Sequence, residues 1–391
     1  MREVYLDHAA TTPLDPRVWE AMVPFFREQF GNPQSLHRYG DGPREAVEHA
    51  RAQVAELIGA QDKEIFFTAS GSEANNFALK GIAFANENVG KHLVISAIEH
   101  HSVLNSARTL EKLGYEITVI PVDAHGLVDP AAVAEAVRDD TVLVSIIHGS
   151  NEIGTIQPIA EIARRVKERK RRIYVHTDAV MTAGTIPVNV DELGVDLLSL
   201  AGSAFYGPKG SGALYIRRGT RIMPYIDGGV QEKGRRGGTE NVPAIVGLGL
   251  AAELARGEMG QRVAHLTALR DRLIQGLTAV DRVTLTGHPT QRLPGLVSVV
   301  VEYVEGEALL LLLNASGIAA SSGSTCTSRA LKASHVLTAI GVETALAQGS
   351  LVFSLGVGNT PEDVDQVLGV FPKIVERLRA MSPLYHKVEV A

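Results

Sequence analysis

A single cysteine, Cys326, stands in this 391-residue chain. That scarcity excludes an internal disulfide. It also excludes an iron–sulfur or zinc site built from one chain's thiolates, because such sites take three or four ligands. Charge of one sign is scarce too: 38 basic against 44 acidic residues leave a net −6. So mild an imbalance offers nucleic acid or a membrane surface no electrostatic reason to bind. The basic run Lys167–Arg172 is short and mixed and reads as a solvated helix end. No run of 18 apolar residues is present, so no membrane-spanning helix is expected. The longest aliphatic cluster, Ala308–Leu313, reads as a buried helix. The opening Met1–Tyr5 has no signal-peptide pattern, which makes the cytoplasm the expected location. Internal repeats, low-complexity tracts and Ser/Pro-rich linkers are missing as well.

What is present is an ordinary globular composition, 45% hydrophobic and 21% charged. Short β-branched runs recur at Leu93–Ile98, Ile117–Val122, Thr141–Ile147, Arg172–Asp178, Asp196–Ala201 and Gly212–Arg217. They are nearly continuous in Val, Ile and Leu, as strands covered on both faces must be. Amphipathic stretches such as Asn75–Asn88 and Pro158–Arg171 lie between them. Such alternation predicts an α/β fold with a doubly wound, mostly parallel sheet. From about Glu253 the pattern changes to a long helix over Arg262–Val280, a strand over Leu296–Tyr303, a helix over Glu307–Ala315 and a last helix over Pro361–Ala380. This predicts a large α/β domain over 16–258 and a smaller α+β domain formed by 1–15 and 259–391.

Ligands of such sheets sit beyond the carboxyl ends of the strands. The segment Thr68-Ala-Ser-Gly-Ser-Glu-Ala-Asn75 follows a strand at Glu64–Phe67 and opens a helix. Its small residues let backbone N–H groups approach an anion, as a phosphate cradle requires, although an ordinary helix cap would look the same. His176-Thr-Asp-Ala179 ends another strand. Asp178 there suits either a helix N-cap or a partner for a protonated ring nitrogen. Glu99-His100-His101 follows a third strand, where an imidazole can stack on a flat ligand or move protons. Adjacent side chains diverge, so the two histidines do not make a metal site. Ser321–Ser328 places Cys326 in a Gly/Ser-rich loop, where a thiol is either exposed and reactive or inert and half-buried.

Together these segments resemble the cysteine desulfurases of the NifS/IscS type, in the class V aminotransferase family. The resemblance runs nearly end to end, through Tyr5–Pro13, Phe30–His37, Asn151–Pro158, His176–Ala179, Tyr206–Gly210, Gly237–Asn241 and Ser321–Ser328. It implies a fold-type-I, pyridoxal-phosphate (PLP) dependent transferase, homodimeric, with sites at the subunit interface. By position, it implies that Gly71 and Ser72 hold the phosphate, with Thr239 reaching over from the partner subunit. Asp178 would pair with the pyridine nitrogen, His100 stack on the ring, and Asn151 contact the ring oxygen. Asn32 would hold the substrate carboxylate, and Cys326 would attack the substrate sulfur and carry a persulfide. The short form of the Cys326 loop implies delivery to iron–sulfur scaffold or other sulfur-acceptor proteins.

The departures carry as much information. Before the Phe-Tyr-Gly-Pro-Lys-Gly turn the family reads Ser-x-His-Lys. This chain reads Ala201-Gly-Ser-Ala204, so Ser203 replaces the histidine and Ala204 the Schiff-base lysine. Lys209 belongs to the turn that the family has in addition. The expected glutamine is Met181, the arginine that clamps the substrate carboxylate is Val352, and a further arginine is Val357. Without the lysine, PLP has no covalent anchor and the Cα proton loses its main base. Without the arginine, the carboxylate loses a charge-assisted contact of about 2–5 kcal/mol in a dry site.

Three readings follow. One is a desulfurase relative in sulfur transfer or iron–sulfur assembly that takes sulfur from elsewhere, with Cys326 a single ligand to a cluster shared with a scaffold. Another is a repurposed enzyme that binds PLP non-covalently, or another ligand, in the same cleft. The third is a genuine desulfurase whose lysine was replaced by design. An ending like Arg377–Tyr385 and a missing lysine also occur in some archaeal members.

Overall fold

The computed structural model describes residues 2–322, 333–383 and 385. Seven strands form the main sheet, in spatial order Ile65–Thr68, Gly212–Ile216, Leu197–Ala201, Tyr174–Asp178, Thr141–Ser145, His92–Ser96 and Glu116–Ile120. The last five run parallel. Gly212–Ile216 runs antiparallel to both of its neighbours. The β-branched runs therefore lie where the sequence places strands, and the chain is α/β with a mostly parallel sheet.

Both faces of this sheet are covered, which explains the continuous apolar runs. Alternate residues of one strand enter different cores, since side chains alternate across a strand. Val94 joins the helices Arg38–Ile58 and Ile159–Arg169. Leu93 and Ile95 join Gly71–Ala85 and His101–Lys112.

A three-stranded antiparallel sheet, Ser350–Ser354, Leu296–Val301 and Val283–Leu285, builds a further core with the helices Gly306–Ala315 and Pro361–Met381. The first strand, Val4–Tyr5, pairs with Ile318–Ala319. The segment after it is tied to the small sheet, with Ser354 N donating to Leu6 O at 2.8 Å and Ala9 N to Ser354 Oγ at 2.7 Å.

One helix, Val242–Thr278, spans 37 residues, about 55 Å at 1.5 Å per residue. Its first half packs Leu248, Ala252 and Ala255 into the large core. Its second half packs Leu266, Leu269 and Leu273 against the small sheet. Sequence periodicity starts this helix only at Arg262. The earlier half, Val242–Leu254, is apolar nearly all round and rich in Gly and Ala, because it lies against the helices Pro16–Arg27 and Arg38–Ile58. A helix buried on most of its surface carries no amphipathic stripe. Among the described residues, no helix is long and apolar enough to cross a membrane.

Candidate active site

A cavity of about 270 Å³ opens at the carboxyl ends of the parallel strands, the position expected for a ligand in such a sheet. Gly71, Ser72, His100, Asn151, Asp178, Met181, Ser203 and Ala204 all line it. Residues far apart in sequence are thus brought to one place by the sheet order.

One wall is the N-terminus of the helix Gly71–Ala85. Ser70 caps it, its side chain accepting from Glu73 N at 3.1 Å. The first-turn N–H groups of Gly71 and Ser72 have no partner within the helix and carry its positive end. Gly71 is buried, and a Cβ placed there would stand 2.5 Å from Val180 Cγ2. Glycine is therefore required for the backbone to come this close.

Asp178 forms the floor. It is 4% exposed. Its Oδ1 accepts from Val180 N at 3.0 Å and its Oδ2 from Asn75 Nδ2 at 2.6 Å. Burial pushes its carboxyl pKa up, and the nearby His100 and these two hydrogen bonds pull it back. A buried carboxylate whose hydrogen-bond donors are neutral is poised for a cationic partner.

Asn75 Nδ2 also donates to Ser102 Oγ at 2.8 Å. Ser102 Oγ lies 2.7 Å from His100 Nδ1, which accepts from Ser102 N at 3.1 Å. Accepting at Nδ1 leaves the proton of neutral His100 on Nε2. Asn75 and Ser102 thus connect Asp178 to His100, roles the sequence reading missed. Nothing marks a helix-face Asn or Ser as half of such a bridge; only the neighbouring strand ends do.

Beneath lies Glu99, fully buried. Its Oε1 accepts from Ser96 Oγ at 2.5 Å and Ile147 N at 2.8 Å, while Oε2 has no hydrogen-bond partner among the described residues. Burial raises its pKa to about 8.

The opposite wall is the turn Gly202–Ala204. Thr12 ties it down, donating from N and Oγ1 to Ser203 O, each at 2.9 Å. Ala204 brings no amine into the cavity. Lys209 also lines it, but its Nζ donates to Thr12 O at 2.7 Å.

Three other sequence-predicted residues, Val352, Thr239 and Asn32, do not line this cavity. Val352 is buried in an apolar cluster with Leu293 and Leu296, packed against Met181 and outside the cavity wall. Its aliphatic side chain fits that apolar core. Thr239 lines an adjoining pocket of about 220 Å³ that shares Ala69, Gly210 and Ser211 with the cavity. Asn32 lies away from the cavity, its Oδ1 accepting from Gln34 N at 2.9 Å. Cys326 lies outside the described residues.

A doubly wound sheet with a phosphate-type helix end and a strand-end carboxylate points to one class of protein. The aminotransferase class-V family matches residues 4–367, and the chain belongs to it. Within that family it falls with the NifS/IscS-type cysteine desulfurases. The cysteine desulfurase IscS of Methanosarcina thermophila is 54% identical over 386 residues, covering 99% of this chain and 95% of that protein. The IscS of Dictyoglomus turgidum is 53% identical over 383 residues, covering 98% and 97%. Among solved structures, a protein described as NifS-like superposes with a TM-score of 0.91 at 39% identity, covering 96% of this chain and all of that one. A NifS-like protein from Rickettsia africae gives 0.87 at 34%, with the same coverage. The fold is therefore that of the fold-type-I PLP enzymes. The family is PLP-dependent, and the site suits a phosphorylated pyridine: the Gly71 cradle a Cβ would fill, and a buried carboxylate hydrogen-bonded by neutral donors.

Proposed function

We propose that this chain is a cysteine desulfurase-like protein of sulfur transfer and iron–sulfur assembly that holds PLP without a covalent bond and does not release sulfur from free L-cysteine at a useful rate. The observation that carries this reading is Ala204 in the cavity wall, with Lys209 engaged on Thr12. The helix end at Gly71 and Ser72 would hold the phosphate, with Thr239 of a second subunit of a homodimer completing it. Asp178 would take the protonated ring nitrogen, Asn75 fixing its Oδ2 and Val180 N its Oδ1. His100, presenting Nε2–H, would cover the ring. Asn151 would meet the ring oxygen, and Asn32 a substrate carboxylate. When bound, PLP supplies an electron sink for charge developing at a substrate carbon. No described group fills the lysine's place as base at that carbon.

In this reading the Cys326 thiolate takes the outer sulfur of a persulfide formed elsewhere, releasing the donor as its thiolate, and passes that sulfur to a thiolate of an acceptor or scaffold protein, or else completes a cluster the scaffold holds as cargo. The test is alanine and sulfide formation from L-cysteine at saturating PLP, with Ala204→Lys beside it. Background levels for both proteins support the proposal. Turnover by the unaltered chain overturns it, and recovery in Ala204→Lys favours a working enzyme whose lysine was replaced.

A second reading has an observation of its own. Met181, Ala204 and Ala9 line both the cavity and an adjoining pocket with mostly apolar walls. Such walls penalise a zwitterionic amino acid and favour a less polar ligand in the same cleft.

A further inference from the structure

In that adjoining pocket the residues proposed to hold PLP, Gly71, Ser72, His100 and Asp178, take no part. Its volume is about 60 Å³, several times the ~10–15 Å³ that one water needs. Met181, Phe205, Leu266, Leu293, Leu296 and Val357 give its wall an apolar side. Apolar side chains on one side, facing His8, Thr12, Tyr206 and Ser354 on the other, suit an amphipathic ligand with a branched aliphatic end of about four carbons and a polar head.

One guanidinium stands in the same wall. Arg262, from the long helix, is 9% exposed. Its Nε and Nη2 donate to Glu258 Oε2 at 3.1 and 2.7 Å. Its Cζ lies 5.2 Å from the centroid of the Tyr206 ring. Its Nη1 is buried and has no hydrogen-bond partner among the described residues. A guanidinium N–H kept from both water and a protein acceptor is costly to leave bare. The local charge is already balanced, since Glu258 also accepts from Arg17 and Arg17 also holds Asp15. What Arg262 lacks is an acceptor, and an ionised oxygen makes the strongest one.

We propose that this pocket binds a small branched aliphatic carboxylate, its hydrocarbon end among Leu266, Leu293 and Leu296 and its carboxylate on Arg262 Nη1. Asp178, His100 and Gly71 are not in this wall, so binding does not require PLP, although Ala9, Met181 and Ala204 form a wall common to the pocket and the cavity. The test titrates 13C-labelled 3-methylbutanoate into the full-length protein, with and without PLP, and reads binding by NMR. The expected result is saturable binding in the absence of PLP. It weakens about tenfold or more with 3-methylbutanamide as the ligand, and again in Arg262→Met, as loss of a charge-assisted bond requires. A thermal melt checks that the variant folds; if it does not, the acid–amide comparison decides. Absence of saturable binding, or an amide that binds as well as the acid, overturns the proposal, as does undiminished binding to a folded Arg262→Met.

Discussion

Replacing Asp178 by Asn isolates the charge on the cavity floor with little change of shape. Asp178 accepts one hydrogen bond at each oxygen, from Val180 N and from Asn75 Nδ2. The new amide keeps an acceptor for Val180 N. Its NH2 would face the Asn75 NH2, but Asn75 Oδ1 is buried and has no partner. Turning the Asn75 amide over brings that oxygen round to accept, at the cost of the Asn75 Nδ2 bond to Ser102 Oγ, so a thermal melt of the variant accompanies the titration. What it loses is the attraction between a carboxylate and a protonated ring nitrogen in a dry site. Breaking a buried charge pair costs about 2–5 kcal/mol, or roughly 30- to 4,000-fold in Kd. A ring nitrogen can shed its proton when the carboxylate is gone, so the expected loss of PLP affinity is near the lower end, about 30- to 300-fold. The assay is a PLP titration followed by visible absorption, with a thermal melt of both proteins. Equal affinity in a folded Asp178→Asn protein would refute the pairing.

Other consequences follow from the same geometry. Gly71→Ala places a Cβ 2.5 Å from Val180 Cγ2; the forced shift is expected to cost about 1–2 kcal/mol, on the order of tenfold in PLP affinity, and an unchanged Kd would contradict the cradle. Glu99 has a pKa of about 8 against an ordinary 4.5, so between those values the folded protein keeps a proton that the unfolded chain has released. Stability therefore falls as pH rises through that window, by up to about 5 kcal/mol. Glu99→Gln should flatten this fall in denaturant melts at pH 6 and pH 9, whereas an equal pH dependence in both proteins would clear Glu99 of the effect. Ala204→Lys is expected to gain covalent PLP but no cysteine turnover, because Ser203, Met181 and Val352 still stand at the other altered positions; alanine formation read alongside the spectrum separates the two.

Much of this architecture is legible in the sequence, for a physical reason. Strands buried on both faces must be apolar throughout, so Thr141–Ser145 and Leu197–Ala201 declare themselves, and their carboxyl ends indicate where to look for ligands. Asp178, His100 and Gly71 were found that way. Asn75 and Ser102 were not, because their importance comes from lying across the sheet from Asp178, and neither has a distinctive spacing. The first half of the long helix was hidden for the opposite reason: burial on nearly all sides removes the polar face that periodicity detects. Arg262 looked like one more charge on an amphipathic helix, and only packing shows that one of its N–H groups has no acceptor. Val352 was legible as a departure from a family pattern, but its place in an apolar cluster beside Met181 needed coordinates.

The most direct test of the central claim loads the protein with stoichiometric PLP, reduces one half with borohydride and compares intact masses after desalting under denaturing conditions. The account predicts saturable PLP binding in the visible spectrum and an unmodified mass after reduction, because Ala204 offers no amine and Lys209 is held by Thr12. A stoichiometric phosphopyridoxyl adduct on Lys209 or any other lysine, or no saturable binding at all, would contradict it.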